Sequence, residues 1–497
     1  MGSIHSTLYW DQNTQMPLNG ADWRGEQLGL VTKYLHDRQT SEIFEDLLNQ
    51  AKFEIIDRFD DISSDIEVNE KFKNIELLEM EFKRQKNQDP VLVVNIAMEQ
   101  ARGYNLWQEA KIKDDFSLFA PALKNLIFLR REQARQIDSQ RSYWETLAQP
   151  FEPGITKDRL KHLFSPLRRK IPLLIDRSLS YQSRLLKKWD LPASAQEILC
   201  DELLQHWGRK KQSTCYSQSP HPFSITLGPN DYRITTRIVP GQPLSCFLAT
   251  AHEWGHSLYE QGLPDQTHQW FAWPLGQATS MGLHESQSLF WENRVARSRA
   301  FSKRFWKKFA ELGAPFKSEV DLWREMNPLK PGLNRVEADE LSYALHIMIR
   351  TELEFALVEE GLEVEDLPNE WNKKYKEFIS LDIKTDREGC LQDVHWSEGQ
   401  FGYFPSYLLG HLISAQISEA MGNCLKSFAN DRCDPIDSLI ELGQEKEILK
   451  WLRSEVHPIG RKMNAEELVK KVTGKDLSSD IFLQYLEEKV QKLIEAS

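Results

Sequence analysis

Leucine, isoleucine and phenylalanine recur three and four positions apart among Lys, Arg and Glu in stretches 41–53, 61–88, 116–147 and 156–189. That spacing gathers the apolar side chains on one face of a helix, so each stretch is predicted helical. Glycine and proline fall mainly between these stretches. One region follows a different period. Residues 223–227 lead into Gly228, Pro229, Asn230 and Asp231, and strict alternation then runs over 232–239, which predicts a β-hairpin. On its second strand Tyr232, Ile234, Thr236 and Ile238 share one face, with Arg233, Thr235 and Arg237 on the other. Pro240 and Pro243 break the alternation before a further helix, which Gly262 is predicted to end. With no internal repeat and no long linker, the pattern implies a mainly α chain. We read residues 1–497 as one domain, built as a large helical body with two lobes around a cleft.

Composition narrows the function. The 497 residues are 40% hydrophobic, enough for a large core, and carry a net charge of -12. An acidic balance argues against nucleic acid or an anionic membrane as the main partner. Six scattered cysteines (Cys200, Cys215, Cys246, Cys390, Cys424, Cys433) include no CxxC pair, which supports neither a disulfide framework nor a thiolate zinc knuckle. A reducing cytoplasm is the expected location. No stretch approaches 18 uncharged apolar residues, and Met1 to Trp10 show no basic-then-apolar signal pattern.

The helix after Pro243 carries the chemistry. His252, Glu253, Trp254, Gly255 and His256 form an HExxH pentad. Histidines four apart lie one turn above the other and can grip one metal ion, while Glu253 beside them can take a proton from a water. A catalytic zinc needs a third protein ligand and a position left open for water. The downstream acids are Glu260, Asp265, Glu285 and Glu292. Glu260 extends the histidine stripe too far to join both histidines, and is expected to orient His256 instead. Glu285 opens the next helical pattern, 283–301, after a loop long enough to fold that helix back, and is the expected ligand. In the better-known zinc peptidase spacings the acid would fall near Leu275 or Gly276, neither of which is acidic. The metzincin continuation needs Gly at Tyr259 and His at Gly262 and is excluded.

Larger blocks then carry a family resemblance. The run from His252 to Gly262 (HEWGHSLYEQG) and that from His284 to Asn293 (HESQSLFWEN) resemble the signature blocks of the carboxypeptidase Taq metallopeptidases. So do His221-Pro222-Phe223; Asp231, Arg233 and Thr235; Arg335 to Asp339; and Gly389, Gln392, Asp393, His395 and Trp396. Similarity extends from Trp10-Asp11-Gln12 to Gly460-Arg461, nearly the whole chain. The resemblance implies a deep-grooved helical fold like that of neurolysin and angiotensin-converting enzyme, with a small sheet near the metal and commonly a homodimer. It further implies release of C-terminal residues from peptides with broad specificity. His252, His256 and Glu285 would hold zinc or cobalt, and Glu253 would be the general base. Arg335, supported by Arg233, would bind the free C-terminal carboxylate, because a guanidinium fork can bond both oxygens. His395 and Tyr403 are the candidates for stabilising the oxyanion, with Tyr407 in reserve. His221 is a further candidate for substrate contact, and Asp393 for orienting His395.

Two departures stand out. Asn334 replaces the aliphatic residue that usually precedes the Arg335 block, and only nine residues precede Trp10 where the family usually has a further helical stretch. The second leaves an uncovered cleft lip as an expectation. Two other readings share these residues: an internally cutting zinc oligopeptidase, and a peptide-binding scaffold without turnover.

Overall fold

Helix follows helix because the apolar stripes find partners on one another. The computed structural model describes residues 1–58, 66–179, 181, 189–264, 271–428 and 434–496. Parts of the predicted stretches at 61–65 and 182–188, together with Asp265 and Cys433, lie outside the described residues. The predicted helices are found at Glu42–Arg58, Ile66–Lys86 and Lys157–Ser178, the last capped by Thr156. The stretch predicted as one helix over 116–147 is instead divided. A short turn at Phe116–Leu118 precedes helices Ala120–Ile137 and Tyr143–Ala148. Asp138 leaves the helical backbone and the Ser142 hydroxyl caps the next segment, so local side chains compete with helix continuation. The residues before Trp10 are themselves helical, in Gly2–Thr14, where Trp10 is buried and both Tyr9 and Trp10 pack edge-on against Phe223.

The sheet is larger than the predicted hairpin. Strands β1 (Thr214–Gln218), β2 (Ser224–Gly228) and β3 (Asp231–Thr236) lie in the order β1-β3-β2. β2 and β3 form the predicted antiparallel hairpin, whose turn places Asn230 at φ 65°, while β1 joins β3 in parallel. β1 escaped the sequence pattern because its TCYSQ run is short, polar and only half buried. β3 ends at Thr236, three residues before the predicted strand end. Its second face is not solvent-facing throughout: Thr235 is fully buried, 2.6 Å from the Ser219 hydroxyl, and accepts from Phe223 N at 2.9 Å.

The sheet lies against the pentad helix, Ser245–Glu260. Thr236 donates to the Cys246 carbonyl at 3.0 Å, and Thr250 bonds Thr236 at 3.1 Å, which pins strand to helix. This helix is buried on most of its circumference, from Phe247 and Ala251 to Trp254, Leu258 and Tyr259, as suits an element at the centre of a large helical body. It ends at Glu260. Gly262 acts otherwise than predicted: a Cβ there would stand 2.2 Å from His457 Nδ1, so glycine admits a neighbouring ring rather than a left-handed turn. None of the helices among the described residues is long and apolar enough to cross a membrane.

Candidate active site

Two close helix contacts bring the predicted metal ligands together. The Glu285 helix, Met281–Leu289, starts at Ser280, whose hydroxyl accepts from Leu283 N at 3.0 Å. It crosses the pentad helix at Gly255, where a Cβ would fall 2.7 Å from the Ser288 Cα. On its other side runs the Tyr407 helix, Pro405–Cys424, where Gly410 leaves room for Glu285: a Cβ there would be 2.8 Å from the Glu285 Cγ. Glycine is thus required twice by proximity, once inside the HExxH pentad itself.

One carboxylate oxygen of Glu285 lies 3.6 Å from His252 Nε2 and 3.3 Å from His256 Nε2. The three potential ligand atoms all fall within 4.8 Å of one another. Burial would raise the Glu285 carboxyl, but His252 and His256 hold it well below the usual range. Burial works to lower His252, yet Glu285 and Glu292 raise it well above its usual value, whereas burial lowers His256 to about 3, so the set presents one anionic oxygen beside two histidine ring nitrogens. That donor set fits a divalent metal of the zinc or cobalt kind. Glu253 is also buried, and burial pushes its carboxyl up to about 7.

The two histidines are supported differently. His252 Nδ1 is 2.9 Å from Glu292 Oε2, and Arg297 bonds the other Glu292 oxygen at 2.7 Å. Burial works to raise the Glu292 carboxyl, yet Arg297 and His252 bring it down to about 2. Glu292 lies seven residues beyond Glu285, two turns on, a spacing that marks it in the sequence. The run Phe290–Ala296 is a π-helix, a widening often found at functional sites. The expected orientation of His256 by Glu260 is not found. Glu260 bonds His284 Nε2 at 2.8 Å, and the His284 ring stacks on that of His256 at 4.4 Å. The histidine stripe continues past His256, but the next helix reaches Glu260 first.

A second group surrounds Arg335. Its Nε donates to Asp393 at 2.8 Å and its Nη1 to the Tyr343 hydroxyl at 3.1 Å, leaving Nη2 with no hydrogen-bond partner among the described residues. Arg350 donates to the other Asp393 oxygen at 2.6 Å. Against burial, these two arginines hold the Asp393 carboxyl far below its usual range. Asp393 was expected to orient His395; it clamps the two arginines instead. Asn334, the departure from the family pattern, caps the turn Arg335–Glu337 by accepting from Val336 N at 3.1 Å. Asp339 of the same block caps the Tyr343 helix, Glu340–Phe355.

His395 Nε2 lies 3.2 Å from the Tyr407 hydroxyl, and burial lowers the ring to about 4, so it is neutral at pH 7. Tyr403 packs 5.3 Å from Tyr407 and 5.4 Å from His395, with its hydroxyl pushed by burial up to about 12. Both tyrosines feel the charge of Glu285, which ties this wall electrostatically to the histidine pair. Arg335 lies 5.0 Å from the Tyr407 ring. The structure therefore gathers Arg335, His395, Tyr403 and Tyr407 into one wall.

Arg233 and His221 have other partners. Arg233 makes two 2.8 Å bonds to Asp231 and lies 5.5 Å from the Trp10 ring. His221 is exposed, and its carbonyl accepts from Ser219 at 2.6 Å, a local turn contact. Tyr343 and Arg350 were missed in the sequence. They sit seven apart on one helix face, a spacing indistinguishable from that of an ordinary apolar stripe.

Residues 1–490 match the model of the carboxypeptidase Taq (M32) metallopeptidases. The chain belongs to this family. Carboxypeptidase 1 of Bacillus subtilis is 34% identical over 494 residues, covering 98% of this chain and 94% of that protein. Thermostable carboxypeptidase 1 of Thermus thermophilus is 34% identical over 510 residues, covering 99% and 96%. Among solved structures, Trypanosoma cruzi metallocarboxypeptidase 1 superposes with a TM-score of 0.91 at 30% identity, over 99% of this chain and 96% of that one. A PZ peptidase A structure, 10% identical with a TM-score of 0.60, shares the fold alone. The fold of this M32 chain is thus shared with a metallocarboxypeptidase at 30% identity and, more loosely, with a structure of much lower identity.

Proposed function

We propose that this M32 chain acts as one catalytic unit, a metallocarboxypeptidase that hydrolyses the last peptide bond of substrates with a free C-terminus. The observation that carries the reading is a pair of groups: His252, His256 and Glu285, with ligand atoms within 4.8 Å, and a buried Arg335 whose neighbour Tyr407 lies within electrostatic reach of Glu285. A zinc or cobalt ion held by the first group would polarise the scissile carbonyl and acidify a water. Glu253 takes the proton of the attacking water and passes it to the leaving amine. Its burial, which places it near 7, suits both directions. Arg335 binds the terminal carboxylate with the donors that Asp393 and Tyr343 leave unused. Tyr403 and His395 donate to the oxygen that gains charge as the carbonyl becomes tetrahedral. Arg233 and His221 remain candidates for contacts with residues further up the peptide.

β2 is an edge strand beside the pentad helix, and pairing with substrate backbone there would tolerate many side chains, which supports broad specificity. We further propose a cytoplasmic homodimer. Free Cys200, Cys215, Cys246, Cys390 and Cys424 suit a reducing compartment, and dimerisation follows the habit of the family. Incubation with an unblocked peptide, followed by mass, tests the activity: stepwise loss from the C-terminus is expected, and internal fragments would overturn it. C-terminally amidated peptides should be poor substrates.

A further inference from the structure

The Tyr343 helix presents one face to the Arg335 wall. Tyr343 meets Arg335, Arg350 meets Asp393 and Gln392, and one turn further on stands Glu354, fully buried. Glu354 Oε1 accepts from the Trp396 indole at 3.0 Å. Its Oε2 accepts from the Trp144 indole at 2.9 Å and from Gly402 N at 2.8 Å. Trp396 follows His395 and Gly402 precedes Tyr403, so a single carboxylate grips the 395–403 segment at both ends. No ion pair to Glu354 occurs among the described residues; its three partners are neutral N–H donors.

We propose that Glu354 is a positioning residue, holding the 395–403 segment so that His395 and Tyr403 meet the scissile carbonyl in register. The inference rests on the roles proposed above for those two side chains. A buried carboxylate without a cation is costly, and burial pushes this one up to about 7. Three converging donors and no acceptor nevertheless suit a group that only accepts, on both oxygens. A glutamine would turn its NH2 toward at least one N–H, donor against donor. The segment has little freedom to adapt. Gly402 adopts φ 87°, and a Cβ there would lie 2.6 Å from the Ala148 Cα of the Tyr143–Ala148 helix, which also carries Trp144. Glu354 thus ties together the helix behind the segment and the helix beneath it.

The test compares Glu354→Gln with Glu359→Gln in the full-length, metal-loaded enzyme. Glu359 accepts from the backbone N of Trp144 and makes no hydrogen bond to the 395–403 segment, so it controls for general loosening. For E354Q we expect kcat on an unblocked peptide to fall about 30-fold or more, since a small misplacement of reacting groups has such effects. KM and metal content should change little, and amide exchange over 395–404 should quicken. E359Q should lower the melting temperature with kcat kept. Combining E354Q with Tyr403→Phe should cost less than the product of the separate effects. Trp396→Phe, which removes one donor and spares the charge, should also lower kcat and serves if E354Q fails to fold. An E354Q or W396F enzyme with normal kcat, or one impaired only in melting temperature, would overturn the proposal. A wild type that released no C-terminal residue would remove the functional reading instead, whereas unchanged exchange over 395–404 in E354Q would refute the hold exerted by Glu354 whatever the activity.

Discussion

Substituting Glu292 with glutamine tests how the pentad is held. Glu292 accepts from two sides, with His252 Nδ1 at 2.9 Å on one oxygen and Arg297 at 2.7 Å on the other. Glutamine has one acceptor oxygen, so its NH2 must face either the imidazole N–H or the guanidinium. If His252 loses its partner, the ring is free to turn, and loss of such a support typically weakens metal binding by about 10- to 100-fold, or ~1.4 to 2.7 kcal/mol. If Arg297 loses its partner, the cost falls on stability. Its remaining bond is to the Met326 carbonyl, and a poorly paired, mostly buried guanidinium costs about 1 to 3 kcal/mol. Competition with a chromogenic chelator gives the metal affinity, and urea unfolding of the metal-free chain gives the second term. Glu260→Gln, which breaks the bond to His284 one step further out, should weaken metal binding by a smaller factor. Unchanged affinity in Glu292→Gln, or a larger effect from Glu260→Gln, would refute the view that the Glu292 bond fixes His252.

Four further outcomes are expected. Arg335→Lys keeps the charge and loses the fork, so kcat/KM on free peptides should fall about 100-fold while the low rate on amidated peptides stays put; equal losses on both would remove the carboxylate role. Asp393→Asn leaves Arg335 and Arg350 poorly paired in the interior, and urea midpoints should report about 3 to 5 kcal/mol of lost stability. Because the arginines hold Asp393 below its unfolded value, its contribution is complete above about pH 4 and is lost as pH falls below that, by at most ~1.4 kcal/mol per unit. The wild-type midpoint should therefore drop more steeply than that of D393N between pH 4 and 2, and parallel curves would contradict this. Gly255→Ala places a methyl against the Ser288 backbone, so metal content should fall together with about 1 to 3 kcal/mol of stability, whereas an enzyme with full metal content would show that the two helices can part without harm.

Much of the fold was legible in local pattern. Apolar residues three and four apart marked most helices because burial on one face dictates that spacing, and the Gly228–Asp231 turn marked the hairpin. β1 was not legible. Its short polar run acquires strand character only from parallel pairing with β3, a partner beyond its neighbourhood in sequence. The break after Ile137 and the cap at Asn334 had local signals in Asp138, Ser142 and Asn334 itself, but such residues also occur in ordinary loops.

The candidate site divides in the same way. Spacing alone placed His252, Glu253 and His256 on one helix, since a period of 3.6 residues fixes which neighbours share a face, and the next helical pattern singled out Glu285, while the family blocks named Arg335, His395 and Tyr403. Which side chains support them depends on contacts between helices. Glu260 follows the histidine stripe yet serves His284, Asp393 neighbours His395 in sequence yet holds two arginines, and Glu354 joins segments more than forty residues distant on one side and two hundred on the other. The sequence by itself determined the helical class and the residue types of the candidate metal ligands, because both follow from local periodicity and ligand chemistry. Tertiary structure alone decided the partners of Asp393, Glu260, Glu292 and Glu354, because a buried carboxylate is bound by whichever donors the packing brings to it.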